Sequence, residues 1–253
     1  MQTEAEATSR IAAYQPAADL LKGRVILITG VADTIGRAVA VACARHGATL
    51  VLSDRDEPAL APVYDQIEAA GDPQPAILPL DLDKATETTY FGCAETLAQE
   101  FGRLDGLVHC AAYTPYLSRI DDFGAGDWEQ VLRVNLTAPF LLTRACLPLL
   151  RAAEEASIVF SADRVGRQGR AYWGAYGAAK FGIEGLMQTL ADETRSAGRI
   201  RVNSLDPGAV RSGLRVRLYP GEDPNALPAA ESIVNRYLFL LGIDSRGLTG
   251  CAL

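Results

Sequence analysis

The stretch Arg24–Ala44, RVILITGVADTIGRAVAVACA, decides the fold. Val25, Ile26, Leu27 and Ile28 form an unbroken apolar run, the pattern of a parallel strand covered by helices on both faces. From Ile35 the apolar positions change to helical spacing, so that Ile35, Val39, Ala42 and Cys43 can share one face. The turn between them opens at Thr29-Gly30 and closes at Ile35-Gly36. It gathers free backbone N–H groups and the positive end of a helix dipole at one point, which suits a diphosphate. For the ligand this unit is not decisive alone. Strand, glycine turn and helix also build plain βα units that bind nothing, and a dinucleotide-type turn carries three glycines where this one has Gly30, Thr34 and Gly36.

Outward from this unit the chain alternates strand and helix. Thr49 to Ser53 reads as a second strand that stops at Asp54-Arg55-Asp56, and Pro58 can open the next helix in its first turn. Residues 76–80 make a third strand closed by Asp81-Leu82-Asp83, a helix covers 84–101, and Leu104 to Cys110 makes a fourth strand. A long helix is expected over 127–152, bent or shortened by Pro139 and Pro148. Ser157 to Ser161 is the fifth strand, a helix runs over 172–197, and Arg201 to Leu205 is the sixth strand. The pattern predicts an α/β fold: a single-domain, Rossmann-type, doubly wound parallel sheet flanked by helices over 23–253. Residues 1–22, acidic and Ala-rich, are expected as a flexible arm docking near the first strand. Ligands of such sheets lie past the carboxyl ends of the strands, which puts the site on the rim formed by Thr29, Asp54, Asp81, Cys110, Ser161 and Asp206.

Composition narrows the function classes. At 253 residues and 49% hydrophobic, the chain can bury a large core, and its net charge of −7 argues against a nucleic-acid partner. There is no run of about 18 apolar residues, and the opening MQTEAEATSR has no signal-peptide pattern; a soluble, cytoplasmic protein without a membrane partner is expected. The five cysteines are scattered without a CxxC pair and read as core residues in a reducing compartment. With only His46 and His109, no metal site is expected.

Two acids bear on the cofactor. An acidic side chain after the second strand can accept hydrogen bonds from adenosine ribose hydroxyls and repel a 2′-phosphate; Asp54 stands there, and Asp33 adds charge inside the first turn. Arg55 argues the other way, because a guanidinium can grip that phosphate. Two carboxylates against one Arg favour NAD(H), with NADP(H) left open, while Asp54 and Asp56 can equally be plain helix caps. The chemical signal is Tyr176-Gly-Ala-Ala-Lys180. At i and i+4 the phenol and ammonium share a helix face, and a cation there favours the phenolate. Lys180 is one of three lysines against 21 arginines, which suggests a place that needs a compact point charge.

The order TGVADTIG, Asp54, LDL, VNL with Asn135, Tyr176 with Lys180, and DPG at Asp206–Gly208 resembles the short-chain dehydrogenase/reductase family over nearly the whole chain. The segments YQPAADLL, SADRVGRQGRAYWGAYGAAKF and DSRGLTG resemble its bacterial YciK-type branch more narrowly. The resemblance implies an oxidoreductase that transfers hydride to or from a small-molecule carbonyl or alcohol. Tyr176 would be the proton donor or acceptor, and Lys180 would hold the nicotinamide ribose and lower the Tyr pKa. Asn135 would kink the long helix and hold a relay water. It also implies cofactor contacts at Gly30, Asp33, Thr34, Ile35, Gly36, Asp54, Arg55, Asp81, Leu82, Ala111, Pro207 and Gly208, and a homodimer or homotetramer packed through 127–152 and the Tyr176 helix.

Three departures from the family pattern stand out. Thr34 replaces a turn glycine, so its Cβ and hydroxyl are expected to crowd the diphosphate. The Asn-Asn-Ala-Gly usual after the fourth strand is His109-Cys110-Ala111-Ala112. The position of the catalytic serine, thirteen residues before Tyr176, is Asp163, a carboxylate that opposes Tyr ionisation and a developing oxyanion. Asp163 can be held protonated and donate as the serine would; it can pair with Arg164, Arg167 or Arg170 in a retuned enzyme; or it can mark a catalytically impaired dinucleotide-binding or sensing protein of the same fold. The first two readings are ranked ahead of the third, because an idle site has little reason to keep Asn135, Tyr176 and Lys180 together. Arg211, Arg215 and Arg217 on a loop over 209–228 can meet an anionic substrate or simply balance Glu222 and Asp223.

Overall fold

The computed structural model describes residues 4–253. Six strands, β1 (Val25–Thr29), β2 (Thr49–Asp54), β3 (Ala76–Pro79), β4 (Gly106–His109), β5 (Ala156–Ser161) and β6 (Ile200–Leu205), form one sheet in the order β3-β2-β1-β4-β5-β6. All five pairings are parallel, from Val25 opposite Thr49 in β1–β2 to Ala156 opposite Ile200 in β5–β6. Strands β1, β4 and β6 are buried along their whole length, as a sheet covered on both faces requires, whereas β3 at the edge alternates half-buried with exposed residues.

Two cores cover the sheet. On one face lie α2 (Thr34–Arg45), α3 (Glu57–Ala69) and α9 (Val234–Leu241), with Val39, Leu60, Ile67 and Phe239 packed on Ile26, Ile28, Leu50 and Leu52. On the other lie α4 (Glu87–Phe101), α6 (Ala138–Ala152) and α7 (Gly174–Arg195), with Tyr90, Leu97, Leu142 and Met187 packed on Leu27, Leu107 and Ile158. Among the described residues no helix is long and apolar enough to cross a membrane.

Two segments differ from expectation. Residues 1–3 lie outside the described residues, but from Glu4 the segment expected as a flexible arm is a docked helix, α1 (Glu4–Ala12). Its Ala7 and Ile11 are buried, Arg10 donates to the Asp244 carbonyl at 2.6 Å, and the Tyr14 hydroxyl donates to the Asp244 carboxylate at 2.6 Å. The helix therefore packs on α9, and residues 17–24 lead into β1 with the Leu21 N–H bonded to the His46 carbonyl at the end of α2. The helix expected over 127–152 begins earlier, as α5 (Ala125–Leu132), and is interrupted by a π-helical turn, Arg133–Thr137, before α6. Pro139 stands in the first turn of α6, where it has no N–H to give the wider turn, while Pro148 lies inside α6 and does not end it.

Candidate active site

The turn after β1 is held in place by close packing. Gly30 takes φ +76°, and a Cβ there would lie 2.6 Å from Ala111 Cα; a Cβ on Gly36 would lie 2.2 Å from the Gly30 carbonyl oxygen. Gly30 needs glycine for conformation as well as contact, and Gly36, in ordinary helical backbone, for contact alone. Thr34, the first residue of α2, lines neither cavity of the site. Its N–H and hydroxyl donate to Asp33 Oδ1 at 2.6 and 3.1 Å, so the side chain is turned onto its neighbour. Asp33 also accepts the Gly213 N–H at 3.2 Å, tying the turn to α8 (Gly213–Leu218). The N–H groups of Ile35 and Gly36, in the first turn of α2, have no carbonyl within the helix to donate to, and both residues line the inner cavity described below.

From this turn a cleft of about 340 Å³ runs toward β3. Asp54 at the end of β2 accepts the Ala32 N–H at 3.1 Å through Oδ2 and the Arg55 N–H at 2.8 Å through Oδ1. Asp56 begins α3 but makes no side-chain cap. Asp54, Arg55, Asp81, Leu82 and Ala111 all line the cleft.

On the other side of the turn is an inner cavity of about 100 Å³ that shares Gly30, Asp33, Cys110 and Ala112 with the cleft. It is lined by Tyr176, Lys180, Asp163, Pro207 and Gly208, with Trp173, Leu214 and Tyr219 as its apolar wall. Tyr176 and Lys180 are each only 4% exposed. Lys180 Nζ donates to the Ser161 carbonyl at 2.7 Å and lies 5.4 Å from the centre of the Tyr176 ring. An ammonium has three donors, so two remain for a ligand. Beneath it, Ser161 Oγ meets the Tyr237 hydroxyl at 2.9 Å and the Cys110 thiol at 3.3 Å, a network the sequence did not suggest.

The electrostatics reverse one expectation. Burial, then the charges of Asp163 and Asp206, hold the Tyr176 phenol well above its ordinary pKa, the opposite direction to the lowering expected from Lys180. Burial also lowers Lys180, with Asp163 opposing. Asp163 itself is raised by burial, against the Val165 N–H on its Oδ1 at 3.0 Å and the charge of Lys180. Among the described residues no ion pair joins Asp163 to Arg164, Arg167 or Arg170. Arg167 is committed to Glu184 at 2.9 Å and to the Leu253 carbonyl. Asn135 stands behind the wall: its amide accepts the Tyr113 N–H at 3.0 Å and donates to the Tyr113 and Val131 carbonyls. Arg215 is paired with Glu222 at 2.6 Å and stacked on Tyr219, so of the loop arginines it answers to the balancing role.

A carboxylate beside the adenosine end, free helix N–H groups at the middle and an ammonium with spare donors at the far end fit a dinucleotide laid across the rim of the sheet. The short chain dehydrogenase family profile matches residues 24–223, and the chain belongs to that family, an oxidoreductase by class. It is 43% identical over 237 residues to the oxidoreductase YciK of Escherichia coli (strain K12), covering 94% of this chain and 93% of that one. A short chain dehydrogenase structure from Pseudomonas syringae is 51% identical, with a TM-score of 0.93 over 95% of this chain and 97% of that chain. A short chain dehydrogenase from Shigella flexneri, crystallised in complex with NADP, is 41% identical, with a TM-score of 0.91 over 93% and 98%.

Proposed function

We propose that the protein is an NAD(P)-dependent reductase of small carbonyl compounds in which Tyr176 is the proton donor and Lys180 the ribose anchor. The observation that carries this reading is the buried Tyr176–Lys180 pair beside an ammonium-to-carbonyl bond at 2.7 Å. The bound nicotinamide supplies the hydride. Tyr176, kept protonated by burial and by Asp163, would give its proton to the developing alkoxide, and Lys180 would hold the ribose hydroxyls of the bound cofactor. Asp163 stands where the family has a serine, and its charge adds to the hold on the Tyr176 proton.

Asp54 offers acceptors to a 2′-hydroxyl while Arg55, exposed and lining the same cleft, offers a guanidinium to a 2′-phosphate. The two carboxylates favour NAD(H), but the NADP complex of the Shigella relative gives that preference no support, and NADP(H) stands beside it as the proposed cofactor. Apolar α6 and α7 surfaces at Phe140 and Phe181 support a homodimer or homotetramer.

The test is turnover of a panel of aldehydes and cyclic and aryl ketones with NADH and NADPH. Tyr176→Phe is expected to abolish turnover and keep cofactor binding. Cofactor binding without turnover in the unaltered protein would instead support the impaired, sensing alternative, for which Asp163 beside Tyr176 is the motivating feature.

A further inference from the structure

We infer that Arg217 is the cation that closes over the cofactor's diphosphate, delivered by α8 and not by the turn after β1. The inference rests on the dinucleotide reading above. The larger cleft is lined by five carboxylates, Asp33, Asp54, Asp56, Asp81 and Asp83, and by two cations, Arg55 and Arg217. A dinucleotide brings at least two further negative charges into it. Arg55 follows Asp54 at the end of β2, on the ribose side, which leaves the middle of the ligand facing Asp33 with no cation from the sheet.

Helix α8 answers that need by its position. Asp33 accepts the Gly213 N–H at 3.2 Å, so the start of α8 is seated on the turn itself. Arg217 is four residues further on, on the same helical face as Gly213. Those two residues line the larger cleft, whereas Leu214, Arg215 and Leu218 line the inner cavity. The helix thus divides its side chains between the two halves of the site. Arg215 is spent on Glu222 and Tyr219; Arg217 is exposed and makes no ion pair or side-chain hydrogen bond among the described residues. A guanidinium held over the turn can fork onto diphosphate oxygens while offsetting Asp33, whose carboxylate is already engaged as the cap of α2.

Titration of NADH and NADPH fluorescence tests this against Arg217→Gln and, as a reference, Arg211→Gln, an exposed arginine of the same segment that lines neither cavity. A charge-assisted bond to phosphate predicts a rise in Kd of about 10- to 100-fold in Arg217→Gln, alike for the two cofactors within about threefold, and little change in Arg211→Gln. Loss confined to NADPH would move Arg217 to the 2′-phosphate and overturn the assignment, as would no change in Arg217→Gln or a loss in Arg211→Gln equal to that in Arg217→Gln. Failure of the unaltered chain to bind either cofactor would overturn the oxidoreductase reading, and the clamp with it; retained wild-type binding with an unaffected Arg217→Gln would overturn the clamp alone.

Discussion

Replacing Gly36 by alanine tests the packing on which the whole site stands. The new Cβ would meet the Gly30 carbonyl oxygen at 2.2 Å, its carbon at 2.7 Å and Val31 Cα at 3.1 Å. Every one of these is backbone, so no side chain can swing away. Nor can Gly30 retreat freely, since Ala111 lies against its other side and its N–H is bonded to the Ser53 carbonyl at 2.8 Å. Forced overpacking of this kind costs about 1–3 kcal/mol, and the rigid surroundings put this site at the upper end. Better helix propensity returns up to about 1 kcal/mol, leaving a net loss of about 2 kcal/mol. For a chain of this size that lowers Tm by about 4–8 °C. Gly92→Ala in α4 is the matched reference: it also sits inside a helix, nothing lies within 4 Å of its added Cβ, and it should raise Tm by a few degrees. Thermal unfolding followed by circular dichroism reads both. Gly36→Ala melting at or above the unaltered protein would refute the claim that helix and turn are in contact here.

Burial holds His109 neutral, with its pKa down at about 3 from 6.5, so protons favour the unfolded chain below pH 6.5 and stability falls as pH falls. Urea unfolding should show a loss between pH 7 and pH 5 that is about 2 kcal/mol smaller in His109→Gln; an unchanged loss would exclude His109 as its source. Asn135→Ala strips partners from the Tyr113 N–H and from the Tyr113 and Val131 carbonyls, and should cost about 3 kcal/mol by denaturant titration, with less than about 1 kcal/mol counting against those bonds. Asp163→Asn removes a negative charge that raises the Tyr176 pKa. The pH at which alcohol oxidation becomes fast should then move down, and an unmoved profile would separate the two groups.

Much of the frame was legible because it rests on local patterns. The apolar runs of β1 and β5, the break in spacing at Ile35 and the acids ending β2 each reflect burial or turn chemistry within a few residues. The rim residues Thr29, Asp54 and Ser161 fall at strand ends as expected. What was missed depends on distant parts of the chain. Helix α1 is fixed by Asp244, 234 residues from Arg10 and 230 from Tyr14. The choice of Glu184 over Asp163 by Arg167 is set by how α7 meets β6, where Glu184 also accepts the Ser204 hydroxyl at 2.6 Å. Arg217 stood in a run of three arginines that spacing alone could not tell apart; the signal that separates it is the seating of Gly213 on Asp33.

The π-helical turn at Arg133–Thr137 sets the phase between two halves of one rod. Before it, Val131 points into the cluster around Trp173 and Tyr176; after it, Ala138, Leu142 and Cys146 point into the core shared with Tyr90 and Leu97 of α4. One α-helical residue turns about 100°. Deleting a single residue from this turn would therefore rotate α6 by more than a quarter-circle and swing Leu142 off α4, whereas the same deletion in the loop before α5 would leave both halves in step. Beyond the amide of Asn135, it is the length of this short segment that must be kept.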